Sequence, residues 1–245
     1  MAERGSLTVT NVGASLGRFR AINNVTFSIP AGGRHGIIGP NGAGKSTLFN
    51  VLSGYVRPAD GSVVLDGTPI LGRRPDRIVK AGILRTFQSP TVLEEWIVAD
   101  VVRLAAEQRA GKFDIDETVE NALTDTDLTE VRKRLAGELN MLQRRRLALA
   151  TCLVHQPAVL LLDEPTAGLD DAETSEFAEL LGRLHTAYGF TIGLVEHKLK
   201  FLMSFCESIT VLDAGKVIAT GLPAEVAANP VVIEAYLGTG GESHG

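Results

Sequence analysis

Residues 39–47 read G-P-N-G-A-G-K-S-T, and no other stretch constrains the fold as tightly. The pattern G-x-x-x-x-G-K-[ST] works only where a strand runs into a loop and the loop runs into a helix. Residues 34–38 (R-H-G-I-I) have the length and apolar character of a short buried strand, and residues 46–52 open a helix. Between them Gly39, Pro40, Asn41, Gly42, Ala43 and Gly44 form the loop. Gly42 and Gly44 let backbone N–H groups turn inward on β- and γ-phosphates without a Cβ in the way. Lys45 reaches the same oxygens, Ser46 offers a hydroxyl to Mg²⁺, and Thr47 completes the motif at the helix start. The N-terminal end of a helix also favours anionic phosphate. A nucleotide site inside an α/β framework is the expectation.

The 245 residues suffice for a sizeable core, and 44% hydrophobic with 22% charged residues is ordinary for a globular protein. A net charge of -5 gives no global electrostatic reason to expect nucleic acid as a partner. Arg144, Arg145 and Arg146 form a short basic run that reads as a solvated helix face. Cys152 and Cys206 stand far apart without metal-ligand spacing, so neither a disulfide framework nor a zinc site is expected, and a reducing, cytosolic setting follows. The opening M-A-E-R-G-S lacks an apolar signal region, and no apolar run approaches the roughly 18 residues of a membrane span. Any link to a membrane is expected to run through a partner.

Residues 7–12, 25–29 and 61–65 have strand character and predict a small antiparallel sheet around the phosphate loop. Helical periodicity takes over at 98–108, 116–123 and 128–135, giving a helical insert. Beyond a helix at 147–153, the continuous apolar run 158–162 reads as a parallel strand buried on both faces. A helix at 172–184, a strand at 191–195 and a hairpin over 208–212 and 216–220 complete the alternation. Asp163 and Glu164 close the apolar strand, so two carboxylates arrive at its C-terminal end, where open α/β sheets bind ligands. In phosphoryl transfer one carboxylate holds the metal and another residue orients or deprotonates the attacking water. Asp163 is assigned to the metal and Glu164 to the water.

With the phosphate loop, three further segments carry a resemblance: R-T-F-Q at 85–88, L-L-L-D-E-P-T-A-G-L-D at 160–170 and L-V-E-H at 194–197. In order and spacing they resemble the ATPase subunits of ABC transporters, and the likeness covers nearly the whole chain. It implies a single P-loop ABC ATPase domain over 1–245. A RecA-like core and N-terminal antiparallel β subdomain would occupy about 1–88 and 151–245, with a helical subdomain at about 89–150. The resemblance further implies hydrolysis of ATP with Mg²⁺, with Gln88 contacting the metal and relaying nucleotide state to a membrane partner. Residues 167–170 would form the D-loop, and His197 would contact the γ-phosphate. The tail N-P-V-V-I-E-A-Y-L-G at 229–238 is similar to that of ATPases of branched-chain amino-acid importers; systems for urea or for lipopolysaccharide export share parts of it. The implied partners are permease subunits, a second ATPase subunit and, indirectly, a substrate-binding protein. The implied place is the inner face of the cell membrane, with Glu94, Glu95 and Trp96 either facing the permease or, for Trp96, lying in the core. Soluble ABC ATPases of translation or DNA repair usually carry paired units or a long coiled-coil insert, which this chain lacks.

Two positions depart from the pattern. Where the family carries L-S-G-G-Q before Arg145, this chain carries Leu139, Asn140, Met141, Leu142 and Gln143. Asn140 remains a competent helix cap, whereas Met141 and Leu142 put apolar bulk where close backbone approach needs glycine. The expectation is an unequal pair, in which this chain's own loop is hydrolytic when an intact partner signature closes it and the reverse site turns over slowly. The second departure is at the base: Leu16 stands where the family supplies an aromatic, with Phe19 three residues on. An aliphatic contact forgoes the roughly 1 kcal/mol an aromatic adds, and Phe19 would need a shifted loop to replace it.

Overall fold

The computed structural model describes residues 4–86, 93–109 and 111–238. Its first strands, β1 (Leu7–Leu16) and β2 (Phe19–Ile29), pair antiparallel with Leu7 opposite Ile29 and Leu16 opposite Phe19. Both outrun the sequence expectation. Asn11 and Asn24 lie at positive φ (51° and 59°) where the register shifts, and such bulges break the two-residue alternation by which a strand is recognised. Asparagine adopts that left-handed conformation more readily than most side chains. Next come β3 (Arg34–Ile38), α1 (Lys45–Leu52), β4 (Asp60–Leu65), the short β5 (Thr68–Pro69), α2 (Pro75–Ala81) and β6 (Ile83–Thr86). The helical segment holds α3 (Val98–Glu107), α4 (Ile115–Asp125) and α5 (Met141–Leu153). The remainder alternates through β7 (Val159–Asp163), α6 (Asp171–Tyr188), β8 (Thr191–Val195), α7 (Leu199–Phe205), β9 (Ser208–Asp213), β10 (Lys216–Gly221), α8 (Pro223–Ala227) and α9 (Pro230–Gly238).

Two sheets result. One is antiparallel in the order β2-β1-β4-β5; the other runs β10-β9-β3-β8-β7-β6, parallel from β9 to β6 with β10 as its antiparallel edge. Every residue of β7 and β8 is buried, as expected of strands covered on both faces. Along β7 the alternation sends Leu160 and Leu162 into a core shared with α6 and α7. Val159 and Leu161 enter a second core, shared with α1 and the antiparallel sheet. A third cluster joins Val98, Val102, Val119, Leu123, Leu147 and Val154 of the helical segment. Helix α5 serves two of these, since Leu142, Leu149 and Leu153 face the sheet core while Leu147, Ala150 and Val154 face the helical cluster. Each fully buried leucine contributes roughly 2 kcal/mol, so α5 is held firmly on both sides.

Three expectations are corrected or decided. Residues 128–135 form a 3-10 turn (Thr129–Val131), a second turn and an isolated bridge from Leu135 to Ile97, not an α-helix. Their carbonyls are engaged sideways: Val98 N–H donates to Arg134 O at 3.0 Å and Ala99 N–H to Arg132 O at 3.0 Å. Within the segment the bonds close over three residues, Val131 N–H to Leu128 O at 3.1 Å and Arg134 N–H to Val131 O at 2.9 Å, so no α-helical ladder is built. The run 144–146 is not a solvated face. Successive helix residues turn by about 100°, so three in a row cannot share one side. Arg145 and Arg146 are buried, Arg145 donates to Ala167 O at 2.8 Å, and Arg146 pairs with Glu176. Trp96 is not core, being 45% exposed beside the exposed Glu94 and Glu95.

Cys152 and Cys206 are free and buried, and burial pushes both thiols up to about 12. Among the described residues no helix is long and apolar enough to cross a membrane.

His35 of β3 is fully buried, stacked on Phe27 with ring centroids 5.2 Å apart and hydrogen-bonded to the Ser208 and Thr210 hydroxyls at 2.7 and 2.9 Å. Burial lowers its pKa to about 4 from an ordinary 6.5. Below pH 6.5 the unfolded chain takes up a proton that the folded chain refuses, so stability is full above 6.5 and declines as pH falls toward 4. Across that window the loss is about 3 kcal/mol. Denaturant titrations at about pH 7 and about pH 4.5 should therefore show a smaller acid loss in His35→Gln than in the wild type. Equal losses would remove His35 as a cause.

Candidate functional site

The loop from Gly39 to Gly44 leaves the end of β3, in the middle of the parallel sheet, and delivers the chain into α1. Gly44 caps α1 at φ 101°, and a Cβ there would lie 2.7 Å from Ala21 O and from the Ile22 side chain. Both the conformation and the space require glycine. No side chain caps α1 and no acid lies in its first turn, so its leading N–H groups remain available to an anion. Lys45 is buried, with Nζ donating to Gly39 O at 2.7 Å and Pro40 O at 3.0 Å. Burial lowers its pKa while the Glu164 and Asp163 carboxylates oppose that shift. From the far end of the chain, the half-buried Tyr236 of α9 hydrogen-bonds the Gly39 backbone, a brace that nothing in the sequence pattern announces.

A cleft of about 300 Å³ opens over this loop, lined by residues 41–47 together with Leu16, Phe19, Ala21, Glu164 and His197. Leu16 and Phe19 face each other across the end of the β1–β2 hairpin, and both line the cleft. They are 51% and 68% exposed and form an apolar wall at its mouth.

Asp163, the last residue of β7, pairs through Oδ2 with Arg85 Nη2 at 2.6 Å, and each side chain is only 7% exposed. Arg85 lies on β6 and also donates from Nη1 to Asn50 Oδ1 at 2.7 Å and Ser53 Oγ at 3.1 Å. It thereby joins β7 to the end of α1. The sequence offered Arg85 only as part of a motif, with no sign of this role. Glu164 follows at φ 48°, a left-handed conformation that costs a non-glycine residue on the order of 1 kcal/mol or more and recurs at functional sites. Its N–H is held by Val195 O at 2.8 Å, and its Oε1 meets His197 Nε2 at 2.9 Å. Gln88 lies outside the described residues.

Beside this pair sits Glu196, which sequence reasoning passed over. It is 3% exposed; Oε1 accepts from the Thr166 N–H at 2.9 Å and from its hydroxyl, while Oε2 accepts from the N–H groups of His197 at 2.8 Å and Lys198 at 3.1 Å.

In the segment 139–143, Asn140 caps α5, accepting from Gln143 N–H at 2.8 Å in a reciprocal capping box. Of the two residues expected to put apolar bulk where glycine is needed, Leu142 instead turns into the sheet core. Met141 alone covers that surface, with Cγ and Cε 3.6 Å from the position of a Cβ on Gly168.

A family model described as ABC transporter matches residues 22–167, and one described as branched-chain amino acid ATP-binding cassette transporter matches residues 216–242. The high-affinity branched-chain amino acid transport ATP-binding protein BraF of Pseudomonas aeruginosa is 37% identical, over 96% of this chain and 98% of that relative. The ADP conformation of MJ1267, an ATP-binding cassette of an ABC transporter, superposes with a TM-score of 0.86 at 29% identity, covering 96% of this chain and 99% of that one. The dimeric post-hydrolysis state of the ATP-binding cassette MJ0796, bound to ADP and Pi, gives 0.77 at 25% identity over 89% and 98%.

Removing Arg85 leaves the buried Asp163 carboxylate without its cation. Arg85→Met should lower unfolding free energy by about 3–5 kcal/mol in a urea titration. A loss below about 1 kcal/mol would show that Asp163 is not balanced by this guanidinium.

Proposed function

The chain belongs to the ABC transporter family of ATP-binding cassettes, and from that premise we propose that it powers import of branched-chain or related amino acids. It does so as a peripheral subunit on the cytoplasmic side of permease subunits, beside a second ATPase. The match at residues 216–242 and the transport function for which the BraF relative is named support that substrate class. The observation that carries the hydrolytic reading is the convergence of the phosphate loop, Glu164 and His197 on one cleft.

In this reading the N–H groups of the loop and of the α1 start bind the β- and γ-phosphates of ATP, and the Lys45 ammonium neutralises them. Leu16 and Phe19 shelter the base. Mg²⁺ has suitable partners, since the Ser46 hydroxyl and the Asp163 carboxylate are hard oxygen donors and a magnesium ion keeps several waters. A carboxylate has about four acceptor positions, so Asp163 can hold Arg85 and still accept from metal-bound water. Gln88 is the third proposed contact. When bound, the metal neutralises charge developing on the phosphates. Glu164 orients the attacking water and accepts its proton, and His197 donates to the γ-phosphate. Glu164→Gln should retain ATP binding and lose turnover on the order of 100-fold or more; undiminished turnover would remove Glu164 as the base.

The partner site is less well served. Asn140 spends its side-chain oxygen on its own helix and Met141 occupies the surface over Gly168, which supports pairing with a second ATPase whose signature is intact. Purified alone, the chain should turn over slowly, and Asn140→Ser with Met141→Gly should speed it, leaving the core residue Leu142 in place. Fast cooperative turnover indifferent to that pair of changes would overturn the unequal pairing.

A further inference from the structure

Glu196 is a carboxylate with no contact to the cleft, yet the fold surrounds it with four donors taken from two loops. An ionised carboxylate is costly to bury unless its lone pairs are met, and here they are met by three backbone N–H groups and the Thr166 hydroxyl. Thr166, on one oxygen, lies two residues after Glu164; the His197 and Lys198 N–H groups, on the other, belong to the residue that contacts Glu164 and its neighbour. The carboxylate therefore spans the strand-end loops that carry the two halves of the 2.9 Å Glu164–His197 contact.

The same junction is tied twice more. Lys198 Nζ donates to Leu169 O at 2.6 Å and to the Thr174 hydroxyl at 2.8 Å. Arg145, from α5, donates to Ala167 O at 2.8 Å and is the buried cation that Glu196 and Glu164 both stabilise against the cost of its burial.

We propose, resting on the hydrolytic reading above, that Glu196 is a positioning residue for ATP cleavage. It sets the Glu164 carboxylate against the His197 imidazole by clamping their loops together, and Arg145 extends the clamp to α5. Glutamine tests this without changing volume. Its amide has one accepting oxygen, and three of the four donors are N–H groups that cannot become acceptors. Whichever way the amide turns, at least one backbone N–H faces another N–H.

In the transporter assembled with its permease subunits and second ATPase, Glu196→Gln should leave the ATP dissociation constant unchanged and lower kcat on the order of 100-fold, the scale of an ångström of misplacement at a reacting centre. Thr166→Val, which removes only the hydroxyl, should give a smaller fall and covers the case of a poorly folded Glu196→Gln. The decisive comparison is with His197→Ala. If Glu196 acts through His197, Glu196→Gln costs nothing further in that background, whereas a merely structural role costs the same in both. Wild-type kcat in both Glu196→Gln and Thr166→Val, or full additivity with His197→Ala, overturns the positioning role. Wild-type turnover in Glu164→Gln overturns the hydrolytic reading itself, and so separates the two failures.

Discussion

Charge carried into a sheet that is buried on both faces must find its partner inside, and this demand organises the molecule around the carboxyl ends of β7 and β8. Asp163 is answered by Arg85, Glu196 by N–H groups from two loops, Arg145 by carboxylates and a carbonyl, and Lys45 by the carbonyls of its own loop. Each such group left alone would cost several kcal/mol, a sizeable part of a typical folding free energy. The partners come from β6, α5 and the loops after β3, β7 and β8. Satisfying the charges therefore fixes the relative placement of those elements, and the cleft geometry follows from it.

The elements that could be read from sequence are those whose signal is local. The run 158–162 contains no polar residue, and it became a strand with every residue buried; the phosphate loop declared its own strand and helix. What escaped depends on residues distant in the chain. Arg85 and Asp163 are 78 positions apart, and Thr166 and Glu196 are 30 apart; no periodicity links them. Residues 128–135 differ for a related reason: their apolar spacing suits a helix, but the Arg132 and Arg134 carbonyls dock on the distant start of α3 and the segment closes in three-residue turns. The β1 and β2 strands were shortened in the reading because asparagine bulges interrupt the alternation.

The signature segment shows how side-chain direction refines a motif comparison. Aligned letters make Met141 and Leu142 look equivalent as intrusions. The α5 helix separates them, since one turns inward to pack with the sheet core and only the other meets the surface. The departure from glycine is thus smaller in steric terms than the letters imply, while the backbone at both positions still belongs to the first turn of a capped helix.

The strand order has a consequence for how the chain is made. β3, which leads into the phosphate loop, lies between β8 and β9, both from the last quarter of the polypeptide. At translation rates of about 5–20 residues per second, its hydrogen-bonding edges wait on the order of ten seconds or more for their neighbours. Through that interval the antiparallel sheet and α1 are the available cover for a newly made, apolar strand with two open edges. The nascent nucleotide site is consequently among the first parts synthesised and among the last to close.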